Sequence, residues 1–192
     1  LAQRIVRAKR SLSEAQVPFE LPPLEQLSER LAAVLEVIYL IFNEGYAATS
    51  GDHWMRPTLC DEALRLARML AALAPTEPEA HGLQALLEIQ ASRAHARTDV
   101  QGQAVLLMAQ DRTRWDRLLI RRGLSALAQA ELLCKSRSLG PYALQAAIAA
   151  CHARAASPQD TDWRRICALY DALLAVAPSP VVELNRAVAI SQ

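Results

Sequence analysis

The stretch "LRLARMLAALAPTEPEAHGLQALL", residues 64–87, decides the fold. Its first half is built for a helix. Leu59, Ala63, Leu66, Ala67, Leu70 and Ala74 fall on one face at helical spacing, with Asp61, Arg65 and Arg68 opposite. Pro75 ends that run. A second helix is expected after Thr76, whose hydroxyl and the Glu79 carboxylate read as a capping box in "TEPE". Helix, Ala-Pro, a one-turn break and a second helix make a helical hairpin. The same plan returns in "CALYDALLAVAPSPVVELNRAVA", residues 167–189.

Pro75 and Pro178 stand about three periods apart if the period is the roughly 34 residues of tetratricopeptide (TPR) repeats. Pro141 falls near an intermediate multiple, and "WDRLLIRRG", residues 115–123, has the character of a first repeat helix. The sequence therefore predicts an all-α fold, a TPR-like and somewhat irregular stack of antiparallel helical hairpins. An irregular helical bundle is the plainer alternative. Small alanines at facing positions favour the stack, because they let paired helices approach closely.

Working outward, seven or eight helices are expected. Leu24, Leu27, Leu31, Val34, Leu35, Ile38 and Phe42 mark one stripe, and residues 32–42 are apolar nearly all round, which predicts a central, buried helix. Trp115, Leu119, Gly123, Ala126, Ala130 and Leu133 share another face. Pro141 and Pro180 each open a helix at the first-turn position that proline tolerates. Asp160 or Thr161 is placed to cap the helix carrying Trp163. Residues 91–103 are polar with weak helical signals, so a loop or kink is expected there. Three prolines at 18, 22 and 23 forbid helix. They divide the chain into a helical end (1–14), a Pro-rich linker (15–23) and a helical domain (24–192).

Composition narrows the function. Lys+Arg total 21 against Asp+Glu 20, so any nucleic-acid contact must come from a local patch. No apolar run reaches the roughly 18 residues of a membrane span, and the charged start is unlike a signal peptide. The four cysteines lack CxxC spacing, which suits reduced thiols in a cytoplasmic protein. The four histidines lack ligand spacing, there is no nucleophile elbow, and the glycines are isolated, so neither metal, cofactor nor enzymatic chemistry is expected.

Three polar clusters remain. The dense basic patch is "LAQRIVRAKRSL", residues 1–12, where Leu1, Ile5, Ala8 and Leu12 recur at helical spacing and Arg4, Arg7, Lys9 and Arg10 are left to straddle phosphates or simply to face water. "NEGYAATSGDHW", residues 43–54, reads either as a loop in which Asn43 and Gly45 stop the helix while Tyr46 and Trp54 pin it, or as a recognition loop. "QDRTRWDR", residues 110–117, reads as a helix start with acidic residues in its first turn and salt-bridged arginines, or as a groove wall.

The chain as a whole resembles one family. "QRIVRAKRSL" looks like the end of the region 4 recognition helix of extracytoplasmic-function (ECF) sigma factors. The stretches "VIYLIFNEGYAATSG", "LCDEALRLARMLAALAPTEPEAHGLQALL", "VLLMAQDRTRWDR", "GPYALQAAIAACHA", "DWRRICALYDALL" and "PSPVVELNRAVA" resemble the TPR-like C-terminal extension of one ECF group. The resemblance implies promoter DNA contact through Arg4, Arg7, Lys9 and Arg10. It also implies that the polymerase-binding region 2 and the rest of the helix-turn-helix precede Leu1 in the whole protein. The extension would regulate the factor in place of a separate anti-sigma protein, through contacts with regions 2 and 4. Partner or groove contacts would fall on Asn43, Glu44, Tyr46, Asp111, Arg112, Trp115, Asp116 and Gln145. RNA polymerase core would be bound through the full-length factor, and a small DGPF (YCII-like) protein is a candidate partner. A small-ligand sensor or enzyme with a polar pocket is the alternative.

Overall fold

A computed structural model describes residues 7, 10–16, 24–48, 55–135 and 138–192. The chain divides into two compact units, Leu1–Ala33 and Val34–Gln192. In the first, residues 10–14 are helical, and Arg7 and Arg10 are exposed. Arg10 Nε lies 2.7 Å from Glu14 Oε1 across one helical turn. Arg4, Lys9 and positions 17–23 of the expected linker (15–23) lie outside the described residues.

Seven α-helices are described: α1 (Leu24–Tyr46), α2 (Pro57–Leu73), α3 (Pro78–Ala91), α4 (Arg117–Cys134), α5 (Pro141–Arg154), α6 (Trp163–Val176) and α7 (Pro180–Ile190). Among the described residues the only extended pairing is an isolated bridge between Thr98 and Ala104. The fold is all-α, a stack of packed helices. Four helices open on a proline in the first turn: Pro57, Pro78, Pro141 and Pro180. Proline costs nothing there, since the first amides have no intrahelical acceptor. The loop expected at 91–103 is present after α3, as a 3-10 turn at Ala94–Ala96 and then the bridge.

The structure corrects the expected central helix. In α1, Leu35, Ile38 and Phe42 are buried, but Val34, Val37 and Leu40 remain 44, 54 and 56% exposed. The central places go to α3 and α5. Their buried positions run all round: Ala80, Leu83, Leu86, Leu87 and Ile89 in α3, and Ala143, Leu144, Ala147, Ile148 and Ala150 in α5. The physical reason is side-chain size. Alanine and glycine surfaces admit neighbours on several sides, whereas α1, with its larger side chains, packs along the one stripe of Leu35, Ile38 and Phe42. Gly82 brings α3 against the start of α5, where an added Cβ would sit 2.7 Å from the Ala143 amide nitrogen. Gly123 brings α4 against α3 in the same way, at the Ile89 side chain.

Two capping expectations are also corrected. Glu77, not Thr76, is the N-cap of α3, and Glu79 does not turn back to its own helix. Its carboxylate accepts hydrogen bonds from the Tyr142 and Ala143 amides, at 2.8 and 3.1 Å, and so caps α5. Gly140 precedes α5 without a side chain, and Pro141 has no N–H, so the free amides of that helix end take a carboxylate from its neighbour. At α6 the cap is Asp162, which accepts from the Arg165 amide at 2.9 Å. Asp160 instead closes the turn Pro158–Asp160 with Ser157.

Candidate functional site

A cleft of about 620 Å³ opens between α1, α3, α5, α6 and α7 within the second unit. Its walls come from Leu86 on α3, Ile148 on α5, Leu173 on α6 and Val182 on α7. Polar groups interrupt them. Tyr39 packs edge-on against Tyr142, with ring centroids 5.5 Å apart, and its hydroxyl donates to Gln145 Oε1 at 3.4 Å. Gln145 Nε2 donates in turn to the Pro141 carbonyl, so the amide is held from both ends. Arg93, just beyond the end of α3, donates to Gln90 Oε1. Among the described residues no carboxylate lines the cleft, and Arg93 is the one charged side chain there apart from the titratable His152.

His152 lies deep in the last turn of α5, its ring edge against Trp163 with centroids 5.3 Å apart, and its Nδ1 is buried without a partner. Burial pushes the imidazole down to about 4, helped by the positive charges of Arg93 and Arg112. The ring is therefore neutral in the fold at neutral pH, while the unfolded chain takes up its proton near the ordinary value of about 6.5. A depressed value of this kind gives stability that is full above about pH 6.5 and declines as pH falls toward about 4. The contribution is at most about 3 kcal/mol. His152→Phe should flatten that window. The check is urea unfolding of both proteins at steps between pH 7 and pH 4.5; parallel curves would refute the assignment.

The residues of 110–117 serve the fold. Asp111 accepts from the Thr113 amide and hydroxyl, at 2.9 and 2.6 Å. Asp116 is the N-cap of α4, accepting from the Leu118 and Leu119 amides, and its own amide donates to the Ser92 carbonyl at 2.8 Å. Trp115 is buried in the core of α3, α4 and α5. The expected salt-bridged arginines are corrected: Arg112 and Arg114 donate to main-chain carbonyls. Arg112 Nη1 reaches the His152 and Ala155 carbonyls at 2.6 and 2.7 Å, and Arg114 reaches that of Thr98 at 3.3 Å. Arg112 thus closes the C-terminus of α5, with its guanidinium over the Trp115 ring.

At the end of α1, Glu44 pairs with Arg56 at 2.9 Å. The Tyr46 ring stacks on Phe42 and carries the Arg97 guanidinium 3.5 Å from its centroid. Asn43 is half-buried, and its carbonyl accepts from the Ala47 amide at 2.8 Å. Gly45 sits inside the helix rather than stopping it, pressed against Cys60. Trp54 lies outside the described residues. Of the residues singled out from the sequence, Gln145 alone lines the cleft. Arg93, His152 and Asn185, which join it there, carry no shared spacing, because they come from the end of α3, from α5 and from α7 and meet only in three dimensions.

A second, shallower recess holds Arg68 and Glu88, paired at 2.7 Å with Glu88 fully buried. Among the described residues no group of three metal-ligating side chains is assembled, and no helix is long and apolar enough to cross a membrane.

Residues 30–131, just over half of the chain, match the model of a family of unknown function, DUF6596. The chain is also 53% identical over its whole length to an uncharacterized protein of Rhizobium meliloti (strain 1021), of which it spans 45%. No solved structure matches it. The family match covers α2 and α3, reaches well into α4 and includes the loop that closes α5, so the chain belongs to the DUF6596 family.

Proposed function

We propose that this chain is the C-terminal regulatory extension of an ECF sigma factor, a non-catalytic, cytoplasmic module that contacts other parts of the factor and sets its activity with RNA polymerase at promoters. The motif-by-motif resemblance supports the reading, as does the relative more than twice as long, which leaves room for regions 2 and 4. In this reading Arg4, Arg7, Lys9 and Arg10 touch promoter DNA. A DGPF (YCII-like) protein remains a candidate partner.

The observation that carries the reading is the exposed stripe of α1. Val34, Val37 and Leu40 present an apolar face on a helix otherwise packed into the stack. Contiguous exposed apolar surface of this kind marks a contact site. In the chain it lies close to the stretch that resembles region 4.

The test is promoter-dependent transcription in vitro with core polymerase, comparing the full-length factor with one ending near Ser13 at matched concentration. Truncation should change activity, upward if the extension inhibits and downward if it is required. Val37→Ser with Leu40→Ser should move activity the same way by about fivefold, the effect of roughly 1 kcal/mol of lost contact. Both positions are exposed, so folding stability should stay within about 0.5 kcal/mol. Equal activity of the full-length and truncated factors would sink the reading.

A further inference from the structure

We propose that the cleft between α1, α3, α5, α6 and α7 binds a small amphipathic carboxylate, its anionic group at Arg93 and its apolar body along Leu86, Ile148, Leu173 and Val182. Three observations carry this. First, the volume of about 620 Å³ lies within the range of roughly 300–1,000 Å³ typical of small-molecule sites. Second, Leu86, Ile148, Leu173 and Val182 give it apolar walls, and polar groups beside them are held in place, as in Tyr39–Gln145–Pro141.

Third, the charge in the cleft is one-sided. Arg93 is bonded to the neutral amide of Gln90, and among the described residues no carboxylate lies within ion-pair distance of it. A guanidinium without an anion, set at the edge of an apolar hollow, is complementary to one carboxylate on an apolar body. The His152 side chain lines the same cleft. A medium-chain acid of about eight carbons carries that single charge on an apolar body small enough for a site of this volume.

The proposal stands on the cleft alone. Failure of the transcription experiment leaves it intact, and its own failure leaves the regulatory reading intact. The test is calorimetric titration of the 192-residue chain with octanoate, 1-octanol and acetate as probes. Octanoate should bind one to one, 1-octanol at least about tenfold more weakly, the loss expected for about 1.4 kcal/mol of charge pairing, and acetate not measurably.

Arg93→Gln should bring octanoate down to the level of octanol and leave octanol unchanged. Arg93→Lys, which keeps the charge, should restore much of the difference, so that lost folding is told apart from lost charge. Saturating octanoate should also shift the His152 ring resonances in an NMR titration. Equal binding of octanoate and octanol, preference for octanoate surviving Arg93→Gln, or binding by neither would overturn the proposal. So would an acidic peptide that binds the same residues more tightly than octanoate, because the site would then belong to a protein partner.

Discussion

Arg112→Met is expected to lower the unfolding free energy by about 3 kcal/mol, or about 10 °C in midpoint for a chain of this size. The residue looks like surface charge in the sequence. In the fold it is buried, and Nη1 donates to the carbonyls of His152 and Ala155, the last turn and cap of α5. Those carbonyls have no partner within the helix, and they carry the negative end of its dipole. Methionine fills a similar volume but leaves both acceptors buried and unpaired, at about 1–3 kcal/mol each before relaxation. Arg112 Nε and Nη2 find no acceptor, which keeps the sum toward the lower end.

Arg112→Lys should recover about half, since an ammonium donates to both oxygens but loses the planar stacking on Trp115. The variant carries a second signature. Arg112 is one of the charges that hold the His152 imidazole down, so its removal should move that ring back toward its ordinary value, read by NMR titration. Stability within about 0.5 kcal/mol of the parent would show that water replaces the guanidinium without cost.

Gly82→Ala should destabilise the chain by about 2–3 kcal/mol, against the usual direction of that substitution. Inside an exposed helix, alanine is better than glycine by about 1 kcal/mol. Here the added methyl would lie 2.7 Å from the Ala143 amide nitrogen and 2.9 Å from its Cα. Both are backbone atoms of α5, and α5 is packed on several sides, so no side chain can swing away. The helices would have to separate, at the cost typical of overpacked cores. Separation would also stretch the bonds from the Tyr142 and Ala143 amides to Glu79, one turn before Gly82. The steric cost therefore outweighs the propensity gain. The check is the urea midpoint at constant slope; a stabilised Gly82→Ala variant would mean that α3 and α5 are not in contact at that point.

These two residues mark where reading a sequence stops. Nothing around Arg112 separates it from Arg114 or Arg117, and Gly82 sits inside an apolar periodic run where a glycine would ordinarily weaken a helix. Glu79 shows the same limit from the other side. The local motif "TEPE" fits a capping box, but the carboxylate serves α5, which begins some sixty residues later and meets α3 only in the fold. Local hydrogen bonds compete with tertiary ones, and here the free amides of a neighbouring helix won. The cleft was illegible for a related reason, since Arg93, His152 and Asn185 converge from the end of α3, α5 and α7.

What the sequence determined by itself is the class and the punctuation. Alanine- and leucine-rich periodic runs make helices, and prolines at 141 and 180 start them in the first turn. Those signals are local, carried by backbone geometry and the helical period, so they are legible in one dimension. What only the tertiary structure decided is which helices are central and which groups face one another. The apolar run of α1 and the alanine-rich α5 are both hydrophobic on nearly every side. Only close packing of small side chains gave the centre to α3 and α5 and left Val34, Val37 and Leu40 at the surface. Hydrophobicity selects burial without direction; the fit of helix surfaces chooses the neighbour.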